Sequence, residues 1–336
     1  MRIGSHDTEQ KVIVVAEIGN NHEGDFAVAQ QLVDFAADAG VDAVKFQTAR
    51  ADLFISPADA ERRQRFASYA FSPAQWALLS AQTRHRGLAF MSTPLDLVSL
   101  DMLTPLVDAI KIASGDVTFA PLLDAAAATR KPLVLSSGAS SFDEVAAAVA
   151  RVRGQWARLE HAGDLAVLHC VSAYPTPAHE AQLRAIPALA DRLEAIVGYS
   201  DHVTGIDAAV AAAALGARVI EKHFTLDKNY SAFRDHQLSA DPADMRALVE
   251  RVRAIEPMLG DGVKAIQPSE RANQSAIRRS IAAAADLTSG HVLSAADLIW
   301  IRPGTGLAPG QEHLLIGRAL VRDVRAGAQL SQSDVT

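Results

Sequence analysis

Eight short runs of apolar and β-branched residues recur between positions 12 and 223, and alanine-rich stretches with helical spacing lie between them. The runs are Val12–Ile18, Ala43–Gln47, Leu88–Ser92, Ala109–Ala113, Leu133–Ser136, Ala166–Val171, Ala195–Tyr199 and Val219–His223. They are apolar almost throughout, which is the pattern of parallel strands covered on both faces. Parallel neighbours need a crossover between them, and helix signals stand where crossovers are required. The stretch Phe26–Ala39 stops at Gly40, Ser72-Pro73 opens a helix with proline in its first turn, and Ser141 with Glu144 has capping-box spacing. Ile206–Leu215 stops at Gly216, and Asp241-Pro242 opens a stretch that runs to about Ile255. Eight such units predict a (β/α)8 TIM barrel, a fold that takes about 250 residues. An open doubly wound sheet is the alternative, but no Gly-x-Gly-x-x-Gly turn accompanies the strands.

The pattern ends near position 257, so residues 1–257 are assigned to the barrel and 258–275 to a linker containing Gly260, Gly262 and Pro268. Residues 276–336 change in texture. Short apolar runs, Ser280–Ala284 and Ile299–Arg302, alternate with turns at Gly290, Pro303, Gly304, Gly306, Pro309 and Gly310. That predicts a small, turn-rich second domain.

The chain carries a net charge of −7 without a basic stripe, which argues against nucleic acid as a partner. A single cysteine, Cys170, rules out an internal disulfide and suits a reducing compartment. The start lacks an apolar signal core and no stretch is long enough to span a membrane, so a cytoplasmic, membrane-free protein is expected.

In a barrel of this kind chemistry collects at the C-terminal ends of the strands. Of the seven lysines, Lys45, Lys111 and Lys222 lie within or at the ends of strands, where a cation is costly unless paired or facing a polar cavity. Hydroxyls at Thr93, Ser114, Ser136, Ser172, Tyr174 and Ser200 share the strand ends. Cations with hydroxyls and turn N–H groups suit a small phosphate- or carboxylate-bearing substrate. His202 and His223 end neighbouring strands, about 4.8 Å apart in such a sheet, and two imidazoles there can share one divalent ion with open positions. Oxygen and imidazole ligands favour Mn2+, with Mg2+, Co2+ or Zn2+ as rivals. Glu17, Asp116, Glu221 and Asp235 are the carboxylates available as bases or acceptor-orienting groups; Glu221 reads best as the ion-pair partner of a strand lysine. Cys170 reads as a buried small apolar residue.

On these residues the chain resembles the sialic acid synthase family, which includes N-acetylneuraminate, legionaminate and pseudaminate synthases. The matching segments are Glu17-Ile-Gly-Asn-Asn-His22, Val44-Lys-Phe-Gln47, Ser92-Thr-Pro94, Lys111-Ile-Ala-Ser-Gly115, His169-Cys-Val-Ser-Ala-Tyr-Pro-Thr-Pro177, Gly198-Tyr-Ser-Asp-His202 and Glu221-Lys-His-Phe-Thr225. Arg278-Arg-Ser-Ile281 and Arg302-Pro-Gly304 resemble the family's antifreeze-like SAF (β-clip) domain. The resemblance implies condensation of phosphoenolpyruvate with the aldehyde of an N-acylated hexosamine to a nonulosonic acid and phosphate. It implies that Lys45, Thr93, Lys111, Ser114, Ser136 and Ser200 hold phosphoenolpyruvate and that His202 and His223 bind the divalent metal, Mn2+ above all. By the same resemblance Glu17, Gln47, Tyr174 and Asp235 position the acceptor, and Arg302 reaches the barrel of a partner subunit in a domain-swapped homodimer. Three departures fall on the acceptor side: Asp116 where the family often has Glu, Ser172 where it often has Asn, and Ala232-Phe-Arg-Asp-His236 in place of a Gly-Pro-Asp run. Competing readings are a metal-free aldolase with a Schiff-base lysine, and a sugar-binding module without catalysis.

Overall fold

The computed structural model describes all 336 residues, in two compact units, Met1–Gly260 and Asp261–Thr336. In the first, eight parallel strands close into a barrel: β1 (Ile13–Gly19), β2 (Ala43–Thr48), β3 (Ala89–Pro94), β4 (Ala109–Ile112), β5 (Leu133–Ser136), β6 (Leu165–Cys170), β7 (Ile196–Asp201) and β8 (Val219–His223). β8 closes on β1 in a register that sets His223 beside Glu17. Each predicted strand is present, with no end shifted by more than two residues.

The helices follow their caps. Asp25 accepts from the N–H groups of Ala27 and Val28 to start α1 (Phe26–Asp38), and capping boxes at Ser72/Gln75 and Ser141/Glu144 start α2 (Pro73–His85) and α5 (Phe142–Arg158). The remaining barrel helices are α3 (Leu97–Leu103), α4 (Ala120–Ala128), α6 (Ala185–Leu193), α7 (Asp207–Ala214) and α8 (Pro242–Leu259). Asp241 accepts from Ala243 and Asp244 to begin α8. No helix is long and apolar enough to cross a membrane.

Strand alternation divides the barrel's residues into two sets. Outward residues such as Val14, Phe46, Phe90, Leu135 and Val167 join the helix-facing core. Inward residues Ile13, Val15, Ala43, Ala89, Met91, Ala109, Val134, Ala166, Leu168 and Val219 form a second apolar cluster that includes Met1 and Ile3. Those last two come from a short hairpin, Arg2–Ile3 with His6–Asp7, so the start of the chain, which lacks an apolar run, still contributes two buried side chains to the barrel's apolar lower half. Above this apolar half the inward positions turn polar.

Between β2 and β3 lie two helices not foreseen from sequence, Ala51–Phe54 and Ala60–Ser68; the second buries no residue at all, so it has no apolar stripe to read. In the second unit β9 (Ser280–Ala283) pairs antiparallel with β10 (Leu298–Ile301). Isolated bridges join Leu287 to Val324 and Leu320 to Val335 around a core of Ile281, Leu293, Leu298, Leu315 and Leu330. The short helices Pro268–Arg271 and Gln274–Ile277 occupy part of the segment read as a linker.

Candidate active site

Parity decides which strand residues meet. Glu17, Lys45 and Gln47, Thr93, Lys111, Ser136, Cys170, Ser200, and Glu221 with His223 occupy inward positions directly above the apolar half. Lys45 Nζ lies 2.6 Å from Glu17 Oε2 and donates to Thr93 Oγ1 at 3.0 Å. Gln47 Nε2 donates to Glu17 Oε1 at 3.0 Å, and Asn20 Nδ2 donates to Gln47 Oε1 at 3.0 Å. Glu221 sits between the two lysines, 3.5 Å from Lys111 and 3.9 Å from Lys45, and accepts from Ser200 Oγ at 3.0 Å. These groups form one connected, water-poor layer.

The expected trio of rim lysines is a pair. Lys222 points outward, toward the helices, where it pairs with Asp201 at 2.9 Å. Asp201 and His169 likewise face away from the interior, and His169 Nε2 meets the carbonyl oxygen of Ala181. The cause is spacing: Lys222 is one residue from the inward Glu221, and adjacent strand residues take opposite faces. Glu221, expected as the ion-pair partner of a strand lysine, pairs with two of them in the centre of the layer, and its two-residue spacing from His223 is the signal that places it there.

Burial raises the Glu17 carboxyl, against the pull of Lys45. Burial also works to raise Glu221, but Lys111 and Lys45 outweigh it and hold this carboxylate charged. Lys111 is lowered by burial, with Glu221 opposing. Asp116, just past β4, is pushed up to about 6 by burial, against Lys111. One ionised carboxylate therefore faces two lysines, and burial shifts the carboxyls of Glu17 and Asp116 upward.

Beyond β5, Gly138 N–H donates to Ser114 Oγ at 3.0 Å. A Cβ at Gly138 would stand 2.3 Å from Ser172 Oγ, 2.9 Å from Ser114 Oγ and 3.2 Å from Cys170 Sγ, so only glycine leaves these groups together. Ser136 Oγ is buried there without a partner. Two serine hydroxyls and an unpartnered third make a donor set suited to an anion.

Across the mouth, the rings of His202 and His223 lie 5.3 Å apart, centroid to centroid. His202 Nδ1 donates to the Val171 carbonyl oxygen at 2.8 Å, so whenever the ring is neutral its lone pair stands on Nε2. His223 Nδ1 is buried without a partner, and burial, reinforced by His202 and Lys45, holds this imidazole neutral, well below its usual range. At His202 burial works downward, but Cys170, whose Sγ is 3.8 Å from Nδ1, outweighs it. Cys170 is buried, yet it belongs to this polar layer and not to the apolar core. Two oriented imidazoles fit a borderline divalent cation; no third histidine, cysteine or carboxylate completes a cluster, so further positions would fall to water or substrate oxygen.

Tyr174 packs on His202 with centroids 4.1 Å apart, and Arg234 lies over the Tyr174 ring at 4.9 Å while its Nε reaches Asp235 at 3.3 Å. Asp235 is raised by burial, with Arg234 opposing. His236, next to Asp235, is held by Glu23 and Thr225 at 3.0 and 2.6 Å. A cavity of about 870 Å3 opens beside Asn20 and Gln47, walled by Tyr69, Phe71, Trp76 and Leu95. Arg302 belongs to the second unit, at the end of β10, where it is exposed.

The NeuB family model matches residues 32–264, and a SAF domain model matches 278–336. The N,N'-diacetyllegionaminic acid synthase of Legionella pneumophila is 37% identical over 94% of this chain and 92% of its own. The pseudaminic acid synthase of Campylobacter jejuni is 32% identical over 99% of both chains. Among solved structures, the N-acetylneuraminic acid synthetase of Leptospira borgpetersenii, in complex with citrate, superposes with a TM-score of 0.76 at 33% identity, covering 81% of this chain and 94% of that one.

Proposed function

The chain belongs to the NeuB family and carries a SAF domain, and from that premise we propose that it condenses phosphoenolpyruvate with the open-chain aldehyde of an N-acylated hexosamine. C3 of the enol attacks the aldehyde carbon, water adds at C2, the C2–O bond breaks, and a nonulosonic acid and phosphate leave. The observation that carries the reading is the convergence of Lys45, Lys111 and the Gly138 donor set beneath the His202–His223 pair.

In this reading Lys45 and Lys111 neutralise the anion, Thr93, Ser114, Ser136 and Ser200 fill its remaining acceptor sites, and Ser172, expected on the acceptor side, joins them through its place beside Ser114 at Gly138. A divalent cation such as Mn2+ on His202 and His223 would polarise the aldehyde. Glu17, with its carboxyl raised by burial, delivers a proton to the developing alkoxide, and Asp116 accepts one from the water that adds at C2. Gln47, Tyr174 and Asp235 orient the acceptor hydroxyls and acyl groups. We further assign Arg302 to the acceptor site of a second copy in a domain-swapped homodimer.

The pyruvyl unit brings no nitrogen, so an acid with two acetylated amines needs an acceptor that already carries both. The higher identity to the diacetyllegionaminic acid synthase favours a 2,4-diacetamido-trideoxyhexose over N-acetylmannosamine. The test is phosphate release from phosphoenolpyruvate with each acceptor, with EDTA and with Mn2+ restored. Release that requires both an aldehyde and metal is expected; chelator-resistant turnover would contradict the metal assignment. The lowered Lys111 amine also suits a Schiff base, and an adduct trapped by borohydride with substrate would favour that aldolase reading instead.

A further inference from the structure

The ion pair of Lys222 and Asp201 faces the helical layer, and no step above uses it. Neither side chain is more than 1% exposed, and the outward positions around the barrel are otherwise mostly apolar. A buried pair of this kind gains little over well-packed apolar residues, and its best-attested use is to fix register. The contacts here are aimed accordingly. Lys222 Nζ donates to Asp201 Oδ2 at 2.9 Å and also to the carbonyl oxygen of Val203. Asp201 Oδ1 accepts from the Val203 N–H at 2.9 Å. One amine therefore grips the chain on both sides of His202, and the residue carrying it directly precedes His223. Lys222 and Asp201 are also direct register partners of β8 and β7, so their bond locks the two strands at the level of the imidazoles.

We propose that Lys222 and Asp201 are positioning residues which set the separation and aim of His202 and His223, and so the affinity of that pair for a divalent cation. This rests on the assignment of the two histidines as metal ligands. A site with only two protein donors gains affinity chiefly from having them pre-oriented, and supporting residues outside the ligands typically contribute about 10- to 100-fold.

The test is direct Mn2+ binding to the metal-free, full-length protein, followed by calorimetry and by loss of the free-ion EPR signal. The double variant Asp201→Asn/Lys222→Met removes both charges and strands neither. It is expected to keep its circular dichroism, to bind Mn2+ about 10- to 100-fold more weakly, and to bind phosphoenolpyruvate without metal as the parent does. A folded double variant with unchanged Mn2+ affinity overturns the inference, as does equal weakening of Mn2+ and phosphoenolpyruvate, which would mark general damage. If the double variant does not fold, Asp201→Asn alone, which keeps the side-chain shape, serves with the same criteria. His223→Ala separates the two levels of the argument. If the parent binds Mn2+ no better than His223→Ala, the ligand assignment falls and this inference with it. If His223→Ala loses the ion while the pair variants keep it, this inference alone falls.

Discussion

Replacing Gly138 by alanine adds one methyl group where the structure leaves no room for it. The new Cβ would stand 2.3 Å from Ser172 Oγ and 2.9 Å from Ser114 Oγ, against ordinary contacts above 3.4 Å. Both crowded atoms end rotatable side chains, so they can swing aside while the backbone stays, and Gly138 itself has no left-handed φ that alanine would resist. Stability should therefore change little, while two hydroxyls leave the anion site together. A hydrogen bond to a charged group is worth about 1.5–3 kcal/mol, and each 1.4 kcal/mol is tenfold. Loss of one or both then raises KM for phosphoenolpyruvate by about 10- to 100-fold or more. The assay is initial-rate phosphate release across phosphoenolpyruvate concentrations, with a thermal melt beside it. Gly154→Ala is the control: it lies on α5 with nothing within 4 Å of the added carbon, and should leave the kinetics alone while stabilising the helix by about 0.5–1 kcal/mol. A Gly138→Ala enzyme with the parent's KM for phosphoenolpyruvate would refute the placement of that substrate against Ser114 and Ser172.

Asp116 acts as a base only when ionised, and its carboxyl sits at about 6, so activity should fall as pH drops through that value; Asp116→Asn should abolish this acid limb, as rate–pH profiles would show. Arg302→Ala and His223→Ala should each be nearly inactive, yet mixing and refolding them together should restore activity, because a mixed dimer holds one site with both residues; no recovery would speak against the swapped arrangement. Ile3→Ala empties a fully buried position in the barrel's apolar half, and should lower unfolding stability by about 2–5 kcal/mol in urea titrations while leaving KM for both substrates unchanged.

The eight strands were readable because parallel strands buried on both sides are apolar at nearly every position, and such runs stand out against alanine-rich helices. The same property hid the facing of their polar residues. Where both faces are apolar no alternation marks inside from outside, so Lys222 looked equivalent to Lys45 and Lys111, although it stands on the other face. Counting in twos from His223 would have separated them and would have drawn in Glu221. The Ala60–Ser68 helix was illegible for a different reason, since it buries nothing. The contribution of Met1 and Ile3 depends on contacts with strands far along the chain, which local pattern cannot report.

In the proposed reaction the barrel's stacked interior, apolar below and polar above, gives the two reactants different kinds of support. Groups assigned to the enol phosphate come largely from strands clamped on both sides, or from the turn immediately after them. Tyr174 and the Arg234–Asp235 pair come from longer connections, the second anchored to the barrel through His236 on Glu23 and Thr225 and through Ser239 on Asn21. The exposed positions there, Tyr174 and Arg234, can change while the anchors stay, so on the proposed assignment a lineage can trade one sugar for another at little cost to its chemistry. Exchanging residues 227–239 between relatives, with Asn21, Glu23 and Thr225 kept to receive them, is then the economical route to a new product.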